Sequence, residues 1–373
     1  MRHLLALLLA LSSVSAAAQQ VGTLVSADPV AETPPGVQAW RVRYWTSSQD
    51  SQRQEVTGMV VAPREAMPAQ PRHVIAWTHG TWGVAEKCAP SISPDFFTAT
   101  PMVEAMIARG YVVVAPDYPG LGGAMPHPYL VGGDTAHSVL DAVRAARGIS
   151  AAAAGTSFAV WGESQGGHAA LWTASSTHRY APDLRLVGTA AAVPPTDLAA
   201  NMRQASDANA RALLLAFTLH SWSERFGYSL DGFTNKATQG VIHRLAENNC
   251  IALDQKPKLG TILGILAVRQ AIEKKDVTRM EPFAATMRAN SVEPASIPGP
   301  LLIAVGTKDT LVAPAVTRRF ARAVCKHRTP VRWIEIPGGG HIDGARGARI
   351  GETLDWIDAR FAGQAAPDDC GRF

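Results

Sequence analysis

Three residue types spaced along this chain suit the activation of a hydroxyl group. Ser164 lies in Gly162-Glu163-Ser164-Gln165-Gly166, a G-x-S-x-G run between an apolar strand pattern at 158–161 and a helical pattern at 165–175. A serine on such a strand-to-helix turn projects its Oγ above the sheet, beside the N–H groups that open the helix. The glycines leave space where a Cβ would clash. A hydroxyl still needs a base, and the base needs an orienting acid. Asp309 follows the apolar run 301–305, and His341 ends Pro337-Gly338-Gly339-Gly340-His341 after the run 331–336. Both therefore sit at C-terminal strand ends, where open α/β sheets build their sites. Asp343 is too near His341 in sequence to orient it, and Asp117 precedes the serine. The expected catalytic set is Ser164, Asp309 and His341. In it His341 takes the Ser164 proton while Asp309 holds the imidazole tautomer. Two backbone N–H groups would receive the developing oxyanion, one from Gln165 and one from Thr81 in His79-Gly80-Thr81-Trp82-Gly83. His79, His137 and His168 read as structural.

These residues need a frame. Strand patterns at 42–46 and 55–62 suggest an N-terminal hairpin. Further strands are expected at 73–78, 111–115, 158–161, 186–192, 301–305 and 331–336. Helices are expected at 96–109, 134–147 (with Asp134 as N-cap), 165–175, 314–325 and 350–361. Strands alternating with helices predict an α/β fold, a mostly parallel sheet with helices on both faces. Residues 197–296 interrupt the alternation. They carry helical patterns at 209–219, 235–246, 259–272 and 282–289 and no clear strand. The expected organisation is a leader at 1–18, a first core part at 19–196, an inserted helical cap or lid at 197–296, and a second core part at 297–373. The nearly uncharged stretch 259–268 suits either an apolar lid over an acyl pocket or an ordinary buried cap helix.

Bulk properties narrow the function. The chain has 373 residues, 47% hydrophobic and 18% charged, enough for a sizeable core. A formal net charge of +4 with scattered basic residues gives no footprint for nucleic acid. A short basic start, an apolar run at 4–11 and Ala16-Ala17-Ala18 before Gln19 read as a secretory signal peptide. No later run is long enough to span a bilayer, so stable membrane insertion is not expected. The destination is the medium or a periplasm. Four cysteines, Cys88, Cys250, Cys325 and Cys370, lack C-x-x-C or histidine partners, and in an oxidising compartment they suggest two disulfides. Three pairings are possible. No spacing implies a metal or an organic cofactor.

The sequence resembles the secretory lipase family of the α/β-hydrolases, the group that includes the fungal A-type lipases. The resemblance is carried by Thr78-His79-Gly80-Thr81 with Cys88-Ala89-Pro90-Ser91, by Asp117-Tyr118-Pro119-Gly120-Leu121-Gly122, by Gly162-Glu163-Ser164-Gln165-Gly166-Gly167, and by Asp309 and His341. It implies a Ser164–Asp309–His341 triad, an acyl-binding tunnel under a helical cap, and disulfides Cys88–Cys250 and Cys325–Cys370. It also implies hydrolysis of small-molecule or lipid carboxylic esters through an acyl-enzyme. Glu163 departs from the family, which commonly has an aromatic residue there, and Gln165 stands where a glycine can occur. Two other functions fit the same sequence: an acyltransferase using the same acyl-enzyme, and a non-catalytic binding protein on this fold.

Overall fold

The computed structural model describes residues 20–100, 102–251 and 258–373. The expected leader at 1–18 lies outside them. Among the described residues nine strands form one sheet: β1 (Leu24–Pro29), β2 (Val37–Ser47), β3 (Arg53–Pro63), β4 (Arg72–Thr78), β5 (Val112–Pro116), β6 (Ala154–Glu163), β7 (Arg185–Ala192), β8 (Leu301–Gly306) and β9 (Val331–Ile336). Their spatial order is β1-β2-β3-β5-β4-β6-β7-β8-β9. The first three strands and the β3–β5 pair are antiparallel, and every pair from β5 to β9 is parallel. The expected hairpin is β2–β3. The edge strand β1 was not anticipated. It is only half buried, so it lacks the apolar alternation that marks the others.

The helices are α1 (Phe96–Ala99), α2 (Met102–Ala108), α3 (Gly132–Ala146), α4 (Gln165–Tyr180), α5 (Leu198–Gln204), α6 (Ala208–Phe226), α7 (Lys236–Asn248), α8 (Leu259–Lys274), α9 (Phe283–Ala289), α10 (Pro314–Cys325) and α11 (Ala348–Phe361). The central strands are buried on both faces, which is why they read as continuous apolar runs. Val74 and Ala76 of β4, with Phe158 and Val160 of β6, pack against α3 and α4. Ile75, Trp77, Ala159 and Trp161 point the other way, onto α2 and α11. The period-2 alternation thus builds two cores from one sheet.

Two local expectations need correction. The pattern at 96–109 is two short helices broken at Thr100, not one. Helix α3 starts two residues before Asp134, which is no N-cap. Buried Asp134 instead accepts the Gln49 N–H at 2.7 Å and faces Arg225 at 3.5 Å, tying the β2–β3 turn and α6 to α3.

Helices α5 to α9 occupy the connection between β7 and β8 and share an apolar cluster of their own. It includes Leu215, Leu219 and Trp222 of α6, Ile242 and Leu245 of α7, and Phe283 of α9. Helix α8 packs one face into this cluster and leaves the other exposed. It buries Gly264, Ile265 and Val268, while Leu259, Ile262, Leu263 and Leu266 are exposed. Two disulfides cross the fold. Cys88–Cys250 joins the segment after β4 to the end of α7, and Cys325–Cys370 joins the end of α10 to the C-terminal tail. Among the described residues, no helix is long and apolar enough to cross a membrane.

Candidate active site

Ser164 sits between the last residue of β6 and the first of α4, with φ 55° and ψ −120°, a conformation that L-residues rarely adopt. The surroundings enforce it. A Cβ on Gly162 would lie 1.9 Å from Thr78 Oγ1, and one on Gly166 would lie 1.9 Å from the Thr78 carbonyl. The elbow is therefore pressed against the end of β4. Thr78 donates to the Gly166 carbonyl at 2.8 Å, and the Ser164 N–H donates to the Ala192 carbonyl of β7 at 2.9 Å.

The turns after β8 and β9 interlock. The Lys308 N–H donates to the Gly339 carbonyl at 2.8 Å, and the Gly338 N–H donates to Thr307 Oγ1 at 2.8 Å. This brings Asp309 and His341 together across 32 residues of sequence. The His341 Nδ1–H donates to Asp309 Oδ2 at 2.8 Å. On the other side of the ring, the Ser164 hydroxyl donates to Nε2 at 2.8 Å. The second Asp309 oxygen accepts the N–H groups of Leu311 and Val312 at 2.8 and 2.9 Å, so the carboxylate cannot swing away from the ring freely. A hydroxyl, an imidazole and a carboxylate in this order can pass the serine proton to the ring as Oγ bonds to an electrophile.

The rival carboxylates have other work. Asp343 accepts the Gly340 N–H at 2.7 Å and shapes the histidine loop without touching the ring. Asp117 is buried between Ser91 and Thr57. Burial pushes its pKa up, against the hydroxyls and N–H that hydrogen-bond to it.

Gln165 follows the serine directly, and Gly80, the neighbour of Thr81, lies against Glu163, where a Cβ would meet the Glu163 carbonyl at 3.6 Å. The N–H groups of Gln165 and Thr81 have no hydrogen-bond acceptor among the described residues. The Thr81 loop is held from two sides. Tyr118 donates to the His79 carbonyl at 2.8 Å and stacks on the His79 ring, and the Thr81 hydroxyl lies 2.8 Å from the Tyr129 hydroxyl. Burial lowers the pKa of His79 to about 3 and those of His127 and His168 to about 4. All three are neutral at pH 7, consistent with scaffold roles for His79 and His168. His137 is lowered too, chiefly by burial. His127 carries no motif of its own in the sequence. Its Nδ1–H donates to the Pro119 carbonyl at 2.8 Å, and its Nε2 receives the Gln165 side-chain amide at 3.3 Å, anchoring the first residue of α4. The Tyr118-Pro119-Gly120 turn was the only signal for it.

Glu163, beside the nucleophile, pairs with Arg346 at 2.8 Å. Burial pushes its pKa up, while Arg346 and, to a lesser extent, His341 oppose that rise. Above Ser164 and Gln165 opens a cleft. Its walls are mostly apolar and come from Tyr129, Leu198 of α5, Leu214 and Trp222 of α6, and Leu311. Helix α8 contributes nothing to this lining.

The chain is similar to several known proteins. A probable inactive lipase of Mycobacterium tuberculosis is 30% identical over 206 residues, 51% of this chain and 45% of that protein. The chain thus spans about half the length of that curated relative. The crystal structure of Candida antarctica lipase A superposes with a TM-score of 0.77 at 19% identity, covering 94% of this chain and 84% of that one. The rice cell wall degrading esterase LipA from Xanthomonas oryzae gives 0.70 at 18% identity, covering 92% and 97%. The fold is accordingly that of the α/β-hydrolases. The secretory lipase family model matches residues 97–369, well over half of the chain and inclusive of Ser164, Asp309 and His341, so the chain belongs to the secretory lipase family.

Proposed function

We propose that this protein is an exported serine hydrolase that cleaves carboxylic esters, of small molecules or of lipids, through an acyl-enzyme on Ser164. The observation that carries the reading is the His341 ring, 2.8 Å from Ser164 Oγ on one side and 2.8 Å from Asp309 on the other. Ser164 Oγ attacks the ester carbonyl carbon while His341 Nε2 takes its proton. The carbonyl oxygen, now anionic, is met by the N–H groups of Gln165 and Thr81. As the tetrahedral species collapses, the carbon–oxygen bond to the alcohol breaks and His341 returns its proton to that oxygen. Water enters by the reverse of these steps, frees the acid and restores the hydroxyl. Asp309 keeps the proton on Nδ1 and stabilises the ring when it is charged.

The segment 197–296 serves as the cap. Its helices α5 and α6 wall the cleft with apolar side chains, which suits an acyl chain better than a charged substrate. Export is supported by the two disulfides and by membership of a secretory family. The test is turnover of p-nitrophenyl esters from acetate to palmitate by the purified protein and by Ser164→Ala. Turnover that disappears in the variant supports the reading, and the chain-length profile separates esterase from lipase. A folded wild type inert on the whole series would overturn it.

A further inference from the structure

The helical segment holds a second cluster of chemically active side chains, away from the cleft. His220 lies on α6, and His243 and Glu247 lie one turn apart on α7, so both face α6. One ligand atom from each residue falls within 4.8 Å of the other two. His220 Nε2 is 3.2 Å from Glu247 Oε1, and the two histidine rings are 5.2 Å apart. Glu224, one turn along α6 from His220, acts electrostatically on the same ring.

We propose that His220, His243 and Glu247 form a site for a divalent transition metal, Zn2+ by its ligand chemistry. Two imidazoles and a carboxylate suit zinc, whereas Ca2+ and Mg2+ take oxygen ligands. Zinc bonds of about 2.0–2.1 Å place tetrahedral ligand atoms about 3.3 Å apart. The 3.2 Å pair already meets that spacing. The rest closes by rotation of His243, which is exposed, and Glu247, which is half exposed, toward the buried His220.

The site binds without touching substrate. Leu214, Thr218 and Trp222 of α6 line the cleft. At 3.6 residues per turn they lie on the face of α6 away from His220. The metal would clasp α6 to α7 behind the cleft wall. Helix α7 is in turn tied to the core through Cys250 and Cys88. The clasp therefore braces the cleft wall from outside, and it stands independently of the ester-hydrolase reading. The spacing was invisible in any single segment because the ligands come from two helices 23 residues apart in sequence, between His220 and His243.

The experiment is titration of the tag-free, metal-stripped full protein with ZnCl2 by calorimetry, with thermal unfolding in parallel. One equivalent should bind with micromolar or tighter affinity. Tm should rise by roughly 5 °C at a hundredfold excess over Kd, while Mg2+ and Ca2+ leave it unmoved. His243→Asn and Glu247→Gln should each weaken binding at least tenfold and remove the Tm shift. Both side chains reach solvent, so the variants should fold, with circular dichroism and ester turnover as the check. Absence of micromolar binding would overturn the proposal. Affinity and Tm shift unchanged in His243→Asn would also overturn it, because the metal would then sit elsewhere, for instance on His341.

Discussion

Asp309 meets His341 with one carboxylate oxygen at 2.8 Å and is pinned through the other by two backbone N–H groups of its own turn. The acid is thus oriented by local backbone before any substrate arrives, and the imidazole inherits that orientation. Asp309→Asn should keep the fold but lose the acceptor that fixes the Nδ1 proton. We expect kcat on p-nitrophenyl butyrate to drop about ten-thousandfold, with an unchanged circular dichroism spectrum. A loss below tenfold would mean that the carboxylate does not set the tautomer.

The elbow's close fit against β4 gives a stability prediction. Gly166→Ala would place a methyl group 1.9 Å from the Thr78 carbonyl, a backbone atom that cannot step aside. The variant should lose at least about 3 kcal/mol of stability or fail to accumulate as folded protein. Urea unfolding or soluble yield reads this directly. Near-native stability would mean that the elbow is looser than described.

The buried histidines give a pH dependence. The folded pKa of His168 is about 4, below the ordinary 6.5 of an unfolded histidine. Between those values the unfolded chain binds the proton and the folded protein does not. The stabilisation is therefore complete above pH 6.5 and is lost as pH falls toward 4. For one such histidine the loss between pH 7.5 and pH 5.5 is about 1.3 kcal/mol. His168→Gln keeps a donor for the Asn290 carbonyl, which His168 reaches at 2.7 Å. It should narrow the difference in unfolding free energy between those two pH values by that amount. An unchanged difference would place the proton uptake elsewhere.

The cleft predicts acyl selectivity. Leu214 lines it from α6 without being fully buried, so a larger side chain has room to turn into the cleft. Leu214→Trp should raise KM for hexanoate and longer p-nitrophenyl esters roughly tenfold and leave acetate within about twofold. Equal effects on all chain lengths would mean that acyl chains do not lie along α6.

What the sequence disclosed follows the strength of each local signal. The central strands were legible because burial on both faces leaves continuous β-branched runs such as Tyr111-Val112-Val113-Val114-Ala115. The Ser164 elbow was legible because its glycines are forced by atoms of β4. Asp309 and His341 were legible because each follows such a strand directly. Strand β1 was hidden by its half-exposed pattern, and α3 was misdated because Asp134 spends its carboxylate on Gln49 and Arg225. The composition of 259–268 left open whether it would cover the cleft or pack within the cap. Apolarity marks a surface to be covered but does not say by what, and α5 and α6 took the place. Long-range partners such as Arg346 for Glu163, or His220 for Glu247, leave no local trace at all.

Ser164 is the proposed activated nucleophile, and covalent labelling tests this most directly. The purified protein would be incubated with a fluorophosphonate and digested, and its peptides mapped by mass spectrometry. We predict one adduct per chain, on the peptide containing Ser164, formed slowly in Asp309→Asn and absent in Ser164→Ala. Labelling at another residue, or no labelling of the folded wild type, would contradict the account.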